Sequence, residues 1–242
     1  MATLTINNSA CNVVVTNVNY GFLYNWYATS NAVTGTYLSN TGWRVPSYTD
    51  FETLLDALGA GGNYVTNTIG NSAKESGTTH WDNDNGVNTS GFTAVGSGNR
   101  SAFGGTFGGQ KKSCEMWTSS TYSGSQKINA GLTNSGTAFV CNLSAGSYER
   151  HGKAVRLVKE STTLSHGQTG TYTGNDGKIY PTICIGTQEW IAVNLAETKY
   201  RDGTWINGYN GGVYTSFSNT EWGNLTAGSV CAYDDDESNA LN

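Results

Sequence analysis

The chain has 242 residues, 13 Lys+Arg against 18 Asp+Glu, a formal net charge of -5, 32 Gly, 2 Pro and 5 Cys. Charged residues make up 13% and aromatics 12%, whereas an average soluble domain is about 25% charged. A chain this rich in Trp and Tyr can bury enough apolar surface to fold as one large or two small domains. The sparse, acid-leaning charge excludes the Lys/Arg footprint of a nucleic-acid binder, and no apolar run approaches the roughly 18 residues of a membrane span.

Residues 1–8 lack both a basic n-region and an apolar h-region, so no signal peptide is expected. Strand-like apolar runs follow at 3–6, 12–18 and 22–27. The first helix is predicted over about 47–58. Ser47 stands at the N-cap, Asp50 three residues later completes an acidic capping pair, and Phe51, Leu54, Leu55 and Leu58 form one apolar stripe before Gly59 stops it. From 60 to 137 the chain is mostly Gly, Asn, Ser and Thr, with single aromatics at Trp81, Phe92, Phe103, Phe107, Trp117 and Tyr122. Such a stretch reads as an ordered, loop-rich region tied down by aromatic anchors.

Further runs at 138–143 and 154–158 read as strands, residues 161–170 as a polar connector, and 180–185 with 189–193 as strands around a turn. Asp234-Asp235-Asp236-Glu237 reads as a solvated acidic turn. The class is therefore α+β, with loop-rich antiparallel sheets and one clear helix. Cys11, Cys114, Cys141, Cys184 and Cys231 are widely spaced without a CxxC pair, which favours buried thiols over a zinc knuckle or a disulfide framework.

Catalysis is not indicated: His80, His151 and His166 have no ligand spacing, and no nucleophile or phosphate-binding motif is present. In Trp81-Asp82-Asn83-Asp84-Asn85-Gly86, oxygen side chains alternate before a Gly turn, as a calcium loop requires. Asp82 and Asp84 are the candidate ligands. The bidentate Glu of an EF-hand is missing, and Asx-rich turns also form without metal.

Six ordered motifs carry a resemblance. They are Tyr20-Gly21-Phe22-Leu23-Tyr24-Asn25-Trp26-Tyr27-Ala28, Gly42-Trp43-Arg44-Val45-Pro46-Ser47, Gly77-Thr78-Thr79-His80-Trp81, Ser90-Gly91-Phe92-Thr93-Ala94, Trp117-Thr118-Ser119-Ser120 and Val155-Arg156-Leu157-Val158. This series resembles the Fibrobacter succinogenes major paralogous domain, found in secreted proteins of Bacteroidetes and in their phages. The resemblance implies a C-type-lectin-like fold over residues 20–160. Asn175-Asp176-Gly177-Lys178-Ile179-Tyr180, Ile185-Gly186-Thr187-Gln188-Glu189-Trp190-Ile191-Ala192-Val193-Asn194-Leu195 and Cys231-Ala232-Tyr233-Asp234-Asp235 resemble the piece that in the family precedes the Tyr20 motif. Here that piece ends the chain, as in a circular permutation. Residues 171–242 are thus expected to complete the module in cis or in a neighbouring subunit, giving a homo-oligomer in the second case. Residues 1–19 form an added strand or attachment arm.

In lectin-like binders the portion corresponding to 95–151 presents exposed side chains. The resemblance therefore implies that Arg100, Phe107, Gln110, Tyr122, Gln126, Tyr148, Arg150 and His151 face a ligand. Phe103, Phe107 and Trp117 have the alternative role of core anchors. The implied function is that of a non-catalytic phage virion protein, of fibre, decoration or receptor-binding type. It would bind a bacterial surface glycan or protein and contact other virion proteins. A secreted lectin or adhesin, and a purely structural virion component, are the alternatives.

Overall fold

The computed structural model describes residues 4–8, 11–15, 19–124 and 126–241. It is a mixed α and β structure, mostly strands, in several curled sheets that are antiparallel except for one parallel pairing. Strands β1 (Leu4–Asn8) and β2 (Cys11–Val15) form a hairpin in which Leu4 pairs with Val15. Strand β3 (Leu23–Tyr24) is shorter than the run at 22–27 predicts. Asn25 ends it by accepting the Ala28 N–H on its side chain, which caps a helical turn over Trp26–Thr29.

After β4 (Trp43–Arg44) comes the predicted helix, Tyr48–Ala57. Ser47 Oγ accepts the Asp50 N–H at 3.2 Å, and Asp50 returns a bond by accepting the Ser47 N–H at 2.6 Å. Arg44 clamps the same carboxylate with a second donor at 2.7 Å from Oδ1. Ser47→Ala removes the cap acceptor and should cost about 1 kcal/mol, read as a lower urea midpoint at unchanged m. The helix buries Phe51, Leu54 and Leu55, and Phe51 packs 5.1 Å from the Trp190 ring and 6.1 Å from Phe139.

The region expected to be loops contains most of a sheet. Strands β5 (Ser97–Arg100), β6 (Phe107–Gln110), β7 (Ser113–Ser123) and β8 (Gln126–Thr133) join β9 (Val140–Tyr148) in the order β6-β5-β7-β8-β9. Its core face is made of Cys114, Met116, Ile128, Ala130 and Cys141, mostly small or unbranched side chains that give a weak strand signal.

The second large sheet has the order β11-β12-β13-β10-β4, where β10 is Val158–Lys159, β11 Thr169–Thr173, β12 Ile179–Ile185 and β13 Gln188–Ile191. Thr169 and Gly170, placed in the connector by the sequence, are thus the first residues of β11. Strands β14 (Tyr209–Asn210) and β15 (Val213–Tyr214) pair with each other, and β16 (Val230–Cys231) pairs with β3.

Strands β13 and β16 from the last part of the chain therefore pair with β10 and β3 from the part before it. Arg156, wholly buried, fixes that junction: its guanidinium donates to Asn194 Oδ1 and to the carbonyls of Phe92, Thr93 and Ile191 at 2.6–3.1 Å. Gly21, at φ +72°, lets the backbone pass Asn194, where a Cβ would sit 2.6 Å from the Asn194 Cβ.

Cys114, Cys141, Cys184 and Cys231 are buried, and burial pushes the Cys114 thiol up to about 11 and Cys141 and Cys231 up to about 12. The Cys11 thiol and the other side chains of residues 1–18, within the segment 1–19 expected to be an added strand or attachment arm, lie outside the described residues. No helix among the described residues is long and apolar enough to cross a membrane.

Candidate ligand-binding surface

One end of the β7-β8-β9 sheet builds an exposed aromatic ledge. Gln126 opens β8 opposite Ser123 on one side and Tyr148 on the other. After Tyr148 the chain folds back on itself, as the His151 N–H donates to the Tyr148 carbonyl at 2.9 Å. His151 Nδ1 also lies 3.1 Å from that oxygen. The turn brings the Tyr148 and His151 rings to 6.4 Å, and Phe103 stands edge-on to both, at 4.8 Å and 6.2 Å. Phe103 is 62% exposed and Tyr148 36%. Burial lowers the affinity of His151 for a proton, which keeps its ring neutral and suited to stacking at neutral pH.

Phe103 is held out by its own turn. The Phe103 N–H donates to Ser101 Oγ at 3.0 Å, the Ser101 N–H reaches the Thr106 carbonyl at 2.8 Å, and Gly104 and Gly105 both take positive φ. Arg100 anchors this turn from below. Its Nε donates to the Gly105 carbonyl at 2.8 Å, its two other nitrogens reach Asp235 Oδ1 and the Phe217 carbonyl, and the guanidinium lies between the rings of Phe107 and Trp222.

Arg100 does not face a ligand, since it is 0% exposed. Phe107 and Gln110 are likewise engaged internally. The Phe107 ring packs 5.3 Å from Tyr233, and Gln110 Nε2 donates to Asn239 Oδ1 at 3.3 Å. The C-terminal segment docks on β5 and β6 and takes the surface that these three residues would otherwise present. Arg150 is half-buried, with its carbonyl accepting from Trp222 Nε1 at 2.8 Å.

Tyr122 is exposed and Gln126 half-buried, so the candidates brought together at the outer surface are Tyr148 and His151, with Gln126 across the strand from Tyr148. Phe103 joins them, although its sequence context reads as a core anchor. The adjacent Gly104-Gly105 pair, which demands a tight exposed turn, is the signal that identifies it. Trp117 does act as a core anchor, fully buried with Nε1 donating to the Tyr24 carbonyl at 2.8 Å.

One oxygen of the candidate calcium loop meets an ammonium group. Asp82 and Asp84 point outward, and Asp84 Oδ1 accepts the Gly77 N–H at 2.8 Å. Of the loop's inward oxygens, Asn85 Oδ1 accepts from Lys74 Nζ at 2.9 Å, while Asn83 Oδ1 is buried without a hydrogen-bond partner among the described residues. Among the described residues no three His, Cys, Asp or Glu side chains are placed to share a metal ion. The C-terminal acidic run is solvated at Asp234 and Asp236, the latter accepting locally from Ser238, but Asp235 accepts from Arg100 and Tyr214 and Glu237 from Tyr209.

Residues 7–159 match the family model of the Fibrobacter succinogenes major domain, and the chain belongs to that family. The matched span opens thirteen residues ahead of Tyr20, so it takes in most of the segment that the sequence motifs leave outside the module. No curated protein and no solved structure matches the chain.

Proposed function

We propose that this member of the family is a non-catalytic recognition module of C-type-lectin-like fold, displayed on a phage particle, which binds a bacterial surface glycan or protein through the Phe103–Tyr148–His151 ledge. The observation that carries the reading is three rings clustered on two rigid turns with one of them almost two-thirds exposed. Clustered exposed aromatics are unfavourable in water unless a partner covers them. They offer a sugar or peptide face a large contact area at small entropic cost. The idea that the chain is one module in permuted order is supported by the pairing of β16 with β3 and of β13 with β10.

Binding of the purified protein to a bacterial glycan array and to whole cells tests this. Phe103→Ala combined with Tyr148→Ala should weaken capture at least about tenfold, equivalent to about 1.4 kcal/mol, with the melting temperature nearly unchanged because both rings are exposed. Undiminished capture by the double variant would remove the ledge from the function. Absence of capture by the parent protein on every surface would leave a structural particle component instead.

A further inference from the structure

The β7-β8-β9 sheet also carries a groove of about 250 Å³ on the face turned away from the core, where alternation places Ser113, Glu115, Asn129 and Thr133 opposite the buried Cys114, Met116, Ile128 and Ala130. It lies on β9 at Val140 and Asn142, six residues before Tyr148, or about 20 Å at the rise of a strand. The groove and the ledge are therefore separate places on one rigid sheet.

The polar groups of the groove are fixed before any ligand arrives. Glu115 Oε1 accepts from Asn99 Nδ2 at 3.1 Å, and its Oε2 is paired with the ammonium of buried Lys153. The carboxylate is thus held in a fixed orientation by an amide and an amine, which leaves acceptor lone pairs toward the groove. Asn129 Oδ1 accepts from Ser147 Oγ at 2.9 Å, so the amide is oriented with Nδ2 as its remaining donor. Gly131 keeps the floor flat, Val140 gives one apolar wall, and the Ser113 and Thr133 hydroxyls stand at one end.

Oriented donors and acceptors, with the single carboxylate already paired to Lys153, beside a small apolar wall, match a ring that alternates hydroxyl and C–H faces. The volume is just below the roughly 300 Å³ at which drug-sized pockets begin, a scale that suits one sugar ring. We infer that this groove binds a single neutral monosaccharide unit, alone or as the end of a glycan. The inference is independent of the ledge: either site can fail without the other.

Amide chemical shifts of the isotope-labelled protein, titrated with glucose, galactose, mannose and N-acetylglucosamine to tens of millimolar, provide the test. At least one sugar should produce saturable shifts at Asn129, Gly131 and Thr133. Asn129→Asp keeps the acceptor used by Ser147, turns the donor toward the groove into an acceptor and adds a negative charge there. It should weaken that titration at least about tenfold, while Phe103→Ala leaves it unchanged. Because Asn129→Asp alters no core residue, an unchanged spectrum away from the groove verifies its fold, and Ser113→Ala provides a second, milder loss. Linear, unsaturable shifts with all four sugars, or saturable shifts confined to Phe103, Tyr148 and His151, would overturn the proposal.

Discussion

Lys74→Met should lower the melting temperature by about 10 °C, corresponding to a loss of about 3–5 kcal/mol in a chain of this size. The Lys74 side chain is fully buried, and its Nζ donates to Asn85 Oδ1 at 2.9 Å and to the carbonyls of Thr133 and Gly136 at 2.8 and 2.7 Å, with the Asn134 carbonyl at 3.4 Å. It also lies 5.6 Å from the Trp81 ring centroid. Burial brings its proton affinity down to about 8, so the ammonium still holds its charge at neutral pH. Methionine keeps the stem and the packing but leaves these oxygens facing a thioether that cannot donate, and each buried acceptor without a partner costs about 1–3 kcal/mol. The loop at 85, the end of β8 and the turn at 136 would lose the ammonium that all three share, keeping the Asn85–Asn134 and Gly136–Thr133 hydrogen bonds between them. Differential scanning calorimetry of the two proteins reads the effect. A shift below about 2 °C would mean that water replaces the ammonium at no cost.

Glu197 should make the protein lose stability as pH rises from about 4.5 to about 8. Its side chain is fully buried in the second half of the chain. Oε2 accepts the Asn175 and Asp176 N–H groups at 2.8 and 3.2 Å, while Oε1 has no hydrogen-bond partner among the described residues. Burial first, and the neighbouring Asp176 charge second, push its carboxyl up to about 8. The groups around it are Asp176, Lys178, and the hydroxyls of Tyr24 and Tyr180, both of which burial holds in the neutral form.

Between the two values the folded state keeps a proton that an unfolded glutamate has released. Stability is therefore complete below about 4.5, declines through the window and levels off above about 8, with a total on the order of 3–5 kcal/mol. Glu197→Gln cannot ionise and keeps an oxygen for the two N–H donors. Its unfolding free energy, measured in urea at several pH values, should lie above that of the parent at pH 8 and converge with it at pH 4.5. Parallel profiles would show that Glu197 is ionised in the folded protein. The close fit that enforces this environment is visible at Gly174, where any Cβ would fall 1.6 Å from Glu197 Oε1.

The parts of this structure legible in the sequence are those governed by local rules. The helix at Tyr48–Ala57 announces itself through Ser47, Asp50 and a 3.6-residue stripe, because capping and amphipathicity act within one or two turns. Strands β12 and β13 show as Ile- and Trp-containing runs around a Gly turn. The β5–β8 strands are hidden, since β7 reads Ser-Cys-Glu-Met-Trp-Thr-Ser-Ser-Thr-Tyr-Ser and its outer half has no alternation to detect. What determines its register is long-range pairing with β8 and β9, including shifts between Trp117 and Thr121.

The same limit explains the candidate site. Tyr148 and His151 are close in sequence, but Arg100 looks like an exposed contact residue until the docking of residues 217–235 is known. Asp82 and Asp84 are exposed, and it is the neighbouring Asn85 that meets Lys74, about ten residues away, a pairing that spacing alone does not reveal. The groove residues Glu115 and Asn129 lie in the stretch where strands were not visible, so their shared face could not be inferred.

The pairing of β3 with β16 joins Leu23 to Cys231 and Tyr24 to Val230. During synthesis the edge of β3 must wait about 200 residues for its partner, which at ribosomal speeds of about 5–20 residues per second is roughly 10–40 s. Throughout that interval Phe22, Leu23 and Trp26 have no finished interior to enter. A nascent chain built this way is a natural client for holding chaperones, and its yield in a cell should depend on them more than its final thermal stability suggests.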